Sequence, residues 1–239
     1  MRHNLDRQLA RGRRWHQLAI GILVCLVAAA SALAATDTLP APPRQQFVAP
    51  APGSYRLERI QLAPNGNVLD ENARVNPLER YTTAKITLVG FMYTYCVDPV
   101  GCPLAFQTFM TLRERLSKEP ALARQVRLVS MSFDPTNDTP EAMKRYAGRL
   151  ADAGSAPRWH FLTTRSVPEL KPIIDDFGQS VAVQMDERGR ATRLYQHMLK
   201  VFLIDPRGQV REIYSPAYLL PDVIFNDIRT LAMESQRTR

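Results

Sequence analysis

Cysteine is scarce in this chain, with three among 239 residues. That is too few for a disulfide-stapled miniprotein or a four-cysteine zinc site. Histidine is almost as rare, at four residues. No internal repeat and no collagenous glycine period is present. Only one long uncharged apolar run occurs, at residues 18–35. What remains is ordinary. An apolar fraction of 45% and a charged fraction of 23% are those of a chain that buries a core, so bulk disorder is excluded. The length suits one domain with appendages.

The formal charge of +8 points at first sight to nucleic acid, but its placement removes that reading. Arg2, Arg7, Arg11, Arg13 and Arg14 against Asp6 put +4 before residue 15. The apolar run follows and ends in Ala32-Leu33-Ala34, the small-x-small pattern that signal peptidase accepts. Residues 1–35 are therefore expected to be a secretory signal or, uncleaved, a membrane anchor through residues 18–35. Bulky Val24 ahead of Cys25 excludes a lipoprotein site there. Beyond the leader, 26 basic against 22 acidic residues leave +4, and no nucleic-acid partner is expected. The arginine-rich remainder reads as a solvated face, or as a docking face for an acidic partner. Cys25 falls in the leader, so Cys96 and Cys102 are left for the folded part. In an oxidising compartment such a pair can form a structural disulfide, bind a soft metal, or cycle between thiol and disulfide.

Residues 36–54 carry Pro40, Pro42, Pro43, Pro50 and Pro52 and read as an extended spacer. The domain is expected over residues 55–233, with a frayed polar tail at 234–239. A short strand is bracketed by Tyr55, Leu57, Ile60 and Leu62, and Asn65-Gly66-Asn67 marks a turn. Residues 85–92, 126–133 and 200–204 are dense apolar runs suited to strands covered on both faces. Helical patterns span 104–116, 139–151 and 167–177, the second opened by Asp138-Thr139-Pro140-Glu141. A turn at Asp205-Pro206-Arg207-Gly208 leads to a strand at 209–214, and residues 219–233 form a closing helix. Strands alternating with helices, then a hairpin and a helix, indicate an α/β domain. A cysteine loop between the first long strand and the first long helix makes a thioredoxin-like fold the best fit.

Cys102 stands at or just before that helix, where exposed N–H groups and the helix dipole stabilise a thiolate. Pro99 and Gly101 suit a turn bringing the two sulfurs together. A structural disulfide is the plainer reading, but it would tie only a strand end to the adjacent helix.

Three motifs in order carry a family resemblance. The first is Gly90-Phe91-Met92-Tyr93-Thr94-Tyr95-Cys96 with Cys102-Pro103. The second is Ser132-Phe133-Asp134-Pro135-Thr136-Asn137-Asp138-Thr139-Pro140-Glu141. The third is His197 ahead of a strand that ends in Pro206-Arg207-Gly208. Over residues 55–233 the chain resembles the Sco/SenC proteins, copper-binding assembly factors for cytochrome c oxidase. The resemblance implies a thioredoxin-like fold, with Cys96, Cys102 and His197 as the ligands of one copper ion. Two thiolates suit Cu(I), and an added imidazole accommodates Cu(II). It further implies a periplasmic location or the outer face of the bacterial inner membrane. The partner would be cytochrome c oxidase subunit II, or another envelope copper or thiol protein. A second reading uses the same Cys96/Cys102 pair as a thiol–disulfide oxidoreductase. The chain departs from the family at one point: five residues separate its cysteines, where the family has three.

The other candidates are weaker. His160 lies on an expected strand with no cysteine near it and reads as a satisfied structural histidine. Met92, Met131 and Met198 are soft enough for copper but read as core. Asp134, before a proline, reads as turn chemistry. Asp98, inside the cysteine loop, is a candidate for tuning a ligand or meeting a partner. A peroxiredoxin would need a threonine three residues ahead of its cysteine, whereas Thr94 is two ahead of Cys96.

Overall fold

The structure, a computed structural model, describes residues 45–237 apart from 99, 153 and 155. The expected leader, Cys25 and the first part of the proline-rich segment lie outside the described residues. No helix among the described residues is long and apolar enough to cross a membrane.

Strand β1 (Gln61–Leu62) is followed by a ribbon of β2 (Asn67–Leu69) and β3 (Val75–Pro77), then by the single turn α1 (Glu79–Thr82). Next come β4 (Ile86–Met92), α2 (Cys102–Ser117), α3 (Pro120–Ala123), β5 (Val126–Ser132), α4 (Pro140–Ala147), β6 (Arg158–Leu162) and α5 (Val167–Asp176). A second ribbon, β7 (Val181–Met185) and β8 (Ala191–His197), precedes β9 (Val201–Ile204), β10 (Gln209–Tyr214) and α6 (Pro221–Arg237). Six strands form one mixed sheet in the order β1-β10-β9-β4-β5-β6. Strands β4, β5 and β6 run parallel, while β9 pairs antiparallel with β4. Helices flank the sheet, so the α/β expectation holds.

Every residue of β4 and β9 is buried. Strands covered on both faces need no polar alternation, which is why these segments read as unbroken apolar runs. Phe91, Phe109, Trp159, Phe161 and Phe202 are fully buried around them. Each such side chain contributes about 1.5–3 kcal/mol by leaving water. Gly90 lets α2 approach: a Cβ there would stand 3.3 Å from the Phe109 ring and 3.7 Å from Val201. This close approach fixes the start of α2, and with it Cys102, over the end of β4.

The structure differs from expectation in several places. Of the strand bracketed by Tyr55 and Leu62, only Gln61–Leu62 pairs, at the sheet edge on β10. The helix expected over 139–151 stops at Ala147, because Gly148 takes a φ of +50° and the chain tightens into a 3-10 turn. The closing helix continues through Arg237, so Glu234 is helical where a frayed tail was expected. Its carboxylate meets Arg211 at 3.0 Å and anchors that end. The β7–β8 ribbon was not anticipated at all.

The proline-rich segment is attached at its far end. Asn226 Nδ2 donates to the Pro50 carbonyl at 2.9 Å, and the Gly53 N–H donates to Thr230 Oγ1 at 3.0 Å. Both partners belong to α6.

Candidate metal centre

Sheet register places the site. Gly90 on β4 lies opposite Val201 on antiparallel β9, so the chain leaving β4 and the chain entering β9 meet at one sheet end. Cys96 lies just beyond β4, Cys102 opens α2, and His197 ends β8 shortly before β9. Their ligand atoms all lie within 4.8 Å of one another. An ion at about 2.3 Å from sulfur and ~2.1 Å from nitrogen holds its ligands up to ~4.6 Å apart, so the grouping needs only a few tenths of an ångström of closure to hold a single ion. Both cysteines are free thiols, Cys96 half-buried and Cys102 buried.

The longer cysteine loop does not keep the sulfurs apart, because Asp98 folds it into a turn. Its Oδ1 accepts from the Val100 N–H at 3.0 Å and its carbonyl accepts from the Gly101 N–H at 3.1 Å. The Asp98 backbone N–H also points at the Cys96 sulfur. Val97 and Val100 stay exposed on the outside of the loop.

The thiolate is on the other cysteine from the one expected. The Cys96 thiol is held down at about 4, chiefly by a hydrogen bond from Cys102, with His197 and the backbone N–H groups of Cys102 and Asp98 adding to it against the opposing effect of burial. Cys102 is pushed well up by the Cys96 thiolate it donates to and by burial. The helix N-terminus therefore does stabilise a thiolate, but it aims its first N–H at Cys96. The two thiols are thus pushed in opposite directions, Cys96 down and Cys102 up.

A polar frame lies beneath the loop. Buried Asp138 accepts from both the N–H (3.1 Å) and the hydroxyl (2.5 Å) of Thr94, and from the Ser132 hydroxyl at 2.5 Å. Burial pushes its carboxyl upward, and these hydrogen bonds oppose the shift. Sequence reading took Asp138 as part of a helix start. The capping oxygen belongs to Thr139, which accepts from the Ala142 N–H at 3.3 Å and leaves Asp138 to brace the cysteine loop. Asp134 is more than turn chemistry: its carboxylate takes the Tyr95 hydroxyl and the Asn137 amide, the latter at 2.7 Å. Its carbonyl still closes the turn, accepting from the Asp138 N–H at 2.8 Å.

Aromatic rings wall the site. The His197 ring lies 4.7 Å from Phe133 and 6.4 Å from Tyr93, and Tyr195 packs on Tyr93 at 5.2 Å. Burial, and then the neighbouring Cys96 sulfur, push the Tyr93 hydroxyl up. Arg193 stacks its guanidinium 4.9 Å above Tyr95 and reaches Asn137 Oδ1 at 3.4 Å. A cavity of about 330 Å³ opens beside His197, lined by Tyr93, Val97, Asp98 and Tyr195 among others. Met92 and Met131 are core, whereas Met198 is exposed next to His197. His160 is remote from these ligands on β6, and it is not fully satisfied, since its buried Nδ1 has no partner. Sequence reasoning missed Tyr93, Tyr95, Tyr195, Phe133 and Asp138; for all but Tyr195, presence inside the quoted motifs was the one pointer.

The arrangement defines a thioredoxin-like domain with two thiols and an imidazole converging at one sheet end. The SCO1/SenC family pattern matches residues 71–233, more than half of the chain. This chain is a member of the SCO1/SenC family. A SCO1 protein homolog of Bacillus subtilis is 26% identical over 147 residues, covering 61% of this chain and 70% of that relative. Solved structures share the fold. Copper-bound ScoI of Bradyrhizobium japonicum has a TM-score of 0.55 at 22% identity, covering 70% of this chain and 98% of that one. BsSco, described as a Sco-family cytochrome c oxidase assembly protein with a disulfide switch, has a TM-score of 0.57 at 22% identity, covering 74% and 98%.

Proposed function

We propose that this chain is a copper-binding factor of the cell envelope that assists assembly of the cytochrome c oxidase copper site, with Cys96, Cys102 and His197 as its ligands. The observation that carries this reading is the convergence of those three donors within 4.8 Å. Two sulfurs match the softness of Cu(I), and the imidazole extends the set toward Cu(II). The lowered Cys96 thiol favours binding, because a metal takes the thiolate form. Membership in the family supports the oxidase role. Subunit II of the oxidase, or another envelope copper or thiol protein, is the proposed recipient. The exposed Val97, Val100 and Met198 around the ligands offer it an apolar rim. The proposed location is the periplasm or the outer face of the inner membrane, reached through residues 1–35.

The test is an anaerobic Cu(I) titration of the reduced full chain against a chromophoric chelator. One equivalent is expected to bind, and Cys96→Ser, Cys102→Ser and His197→Ala each to weaken it. Equal uptake by wild type and all three variants would sink the reading.

The depressed Cys96 thiol favours a second use of the same pair. The Cys96 thiolate attacks one sulfur of a partner disulfide and forms a mixed disulfide. Cys102, losing its proton to the departing sulfur, then closes the Cys96–Cys102 bond. Two electrons pass to the partner, whose disulfide is reduced. Mixed-disulfide trapping with Cys102→Ser tests this directly; a variant that captures no disulfide substrate would exclude it.

A further inference from the structure

At the opposite end of the parallel strands from the cysteines lies a cavity of about 500 Å³ lined by Arg74, Arg80, Arg127, Arg158, His160 and Asp70, among others. Its charge arrangement is unusual. Arg127 on β5 and Arg158 on β6 are register partners, so the sheet holds two like charges side by side on one face. Neighbouring strands are only about 4.8 Å apart, and like charges facing each other there are destabilising. His160 follows on the same face, two residues along from Arg158.

The acids present do not quench this. Glu71 reaches Arg158 only at 3.6 Å. Asp70 spends its Oδ1 on the backbone N–H groups of Asn72 and Arg74, at 2.9 Å each. Arg127 donates to a backbone carbonyl, that of Thr83, at 3.2 Å. Four arginines against Asp70 and Glu71 leave +4 − 2 = +2 around the cavity. Two buried side-chain nitrogens lack a hydrogen-bond partner among the described residues, Arg158 Nε and His160 Nδ1, and both belong to this wall. His160 is kept neutral, pushed down to about 3 by burial and then by Arg158 and Arg127, so it can offer an N–H without adding charge.

The walls are fixed in place. The β2–β3 ribbon that carries Asp70 and Arg74 is bridged to Thr163 just past β6, through the Leu69 N–H at 2.7 Å and the Leu69 carbonyl at 3.0 Å. Tyr81 from α1 packs edge-on against His160 with ring centres 4.9 Å apart.

We propose that this cavity is a binding site for a phosphate-class oxyanion, free or borne on a small organic body such as a lipid headgroup. A dianion matches the surplus of +2, and guanidinium forks match the geometry of its oxygens. It would relieve the Arg127–Arg158 repulsion, and the volume leaves room beyond the anion for the group that carries it. The site is separate from the metal centre and does not depend on the copper reading.

The experiment titrates the full chain with inorganic phosphate by calorimetry and thermal shift, against chloride at equal ionic strength. A second arm uses flotation with phosphatidylglycerol vesicles. Saturable phosphate binding with a rise in Tm identifies a free anion. Vesicle binding without it identifies a headgroup. Either supports the site only if Arg127→Gln and exposed Arg80→Gln weaken binding by at least about tenfold while Arg190→Gln, on the distant β7–β8 ribbon, does not. Arg80→Gln keeps the test valid should Arg127→Gln fold poorly, although loss of the like-charge pair is expected to leave its anion-free Tm no lower than wild type. Absence of binding in both arms, or equal binding by wild type and all three variants, would overturn the proposal.

Discussion

Asp138 holds Thr94 by both its N–H and its hydroxyl, two residues ahead of Cys96 and 44 positions away in sequence. This contact joins the cysteine loop to the turn after β5, and the Ser132 hydroxyl on the same carboxylate completes the brace. Replacing Asp138 with Ala leaves the Thr94 N–H and the two hydroxyls without their acceptor. The expected loss of stability is about 1–3 kcal/mol. Cu(I) affinity should drop by roughly 10–100-fold, as when a supporting partner of a metal ligand is removed. Chemical denaturation and chelator competition measure the two effects separately. Unchanged affinity would show that the brace does not position the ligands.

The coupled thiols set a pH dependence. Alkylation of Cys96 in the reduced chain should follow a midpoint near 4, far below the ordinary 9.0. Cys102→Ala removes the largest cause and should move the midpoint well upward, with His197→Ala giving a smaller rise. In the linkage sense, the depressed Cys96 adds stability as pH rises from about 4 toward 9.0, and above that the raised Cys102 opposes it. A wild-type midpoint in the ordinary thiol range would contradict the lowering of Cys96 by Cys102.

His160 works over a different window. Its folded value of about 3 lies below the ordinary 6.5, so the unfolded chain takes up a proton that the folded chain refuses. Stability therefore decreases as pH falls from about 6.5 toward about 3. In denaturation curves measured across that range, His160→Phe should show a shallower decline than wild type. Parallel declines would assign the acid sensitivity to other groups.

Arg211 joins three parts of the chain. It pairs with Asp205 and Glu234 at 3.0 Å each and donates to the Leu57 and Glu58 carbonyls, the latter at 3.0 Å. Arg211→Ala leaves the buried Asp205 carboxylate without its cation, holding only the Arg207 and Gln209 N–H groups, a loss of about 3–5 kcal/mol. Thermal unfolding should register a large fall in Tm while copper stoichiometry in the folded protein stays at wild type. A near-neutral effect would mean that water replaces the guanidinium.

The central sheet was legible because β4, β5 and β9 are buried on both faces and hydrophobicity alone marks them. The β7–β8 ribbon was not. Its strands, VAVQM and ATRLYQH, alternate partly buried with exposed residues and have no apolar run. Cys96, Cys102 and His197 were visible from motif order, but which sulfur would carry the charge was not. That depended on the first N–H of α2 and the buried Cys102 thiol both pointing at Cys96, a matter of direction and not of spacing. Asp138 was misread because one residue's shift between it and Thr139 decides which side chain caps the helix and which turns inward. His160 was placed on its strand, but the arginines around it come from β5, β6, α1 and the β2–β3 turn, which only the folded chain collects.

The ribbon that ends in His197 pairs with no strand of the central sheet. At its base it is closed by Gln179 Nε2 on the Met198 carbonyl at 2.8 Å and Lys200 Nζ on the Gly178 carbonyl at 2.7 Å. One donor of the trio is thus mounted on a peripheral flap, while the two sulfurs sit on the loop and helix start that follow β4 of the central sheet. Under the proposed ligand set, a partner that draws the flap aside would convert a three-donor grip into a two-donor one without breaking a single bond of the main sheet. Delivery of the ion in the proposed role would then proceed by subtraction of one donor, with the folded body as an unmoved platform.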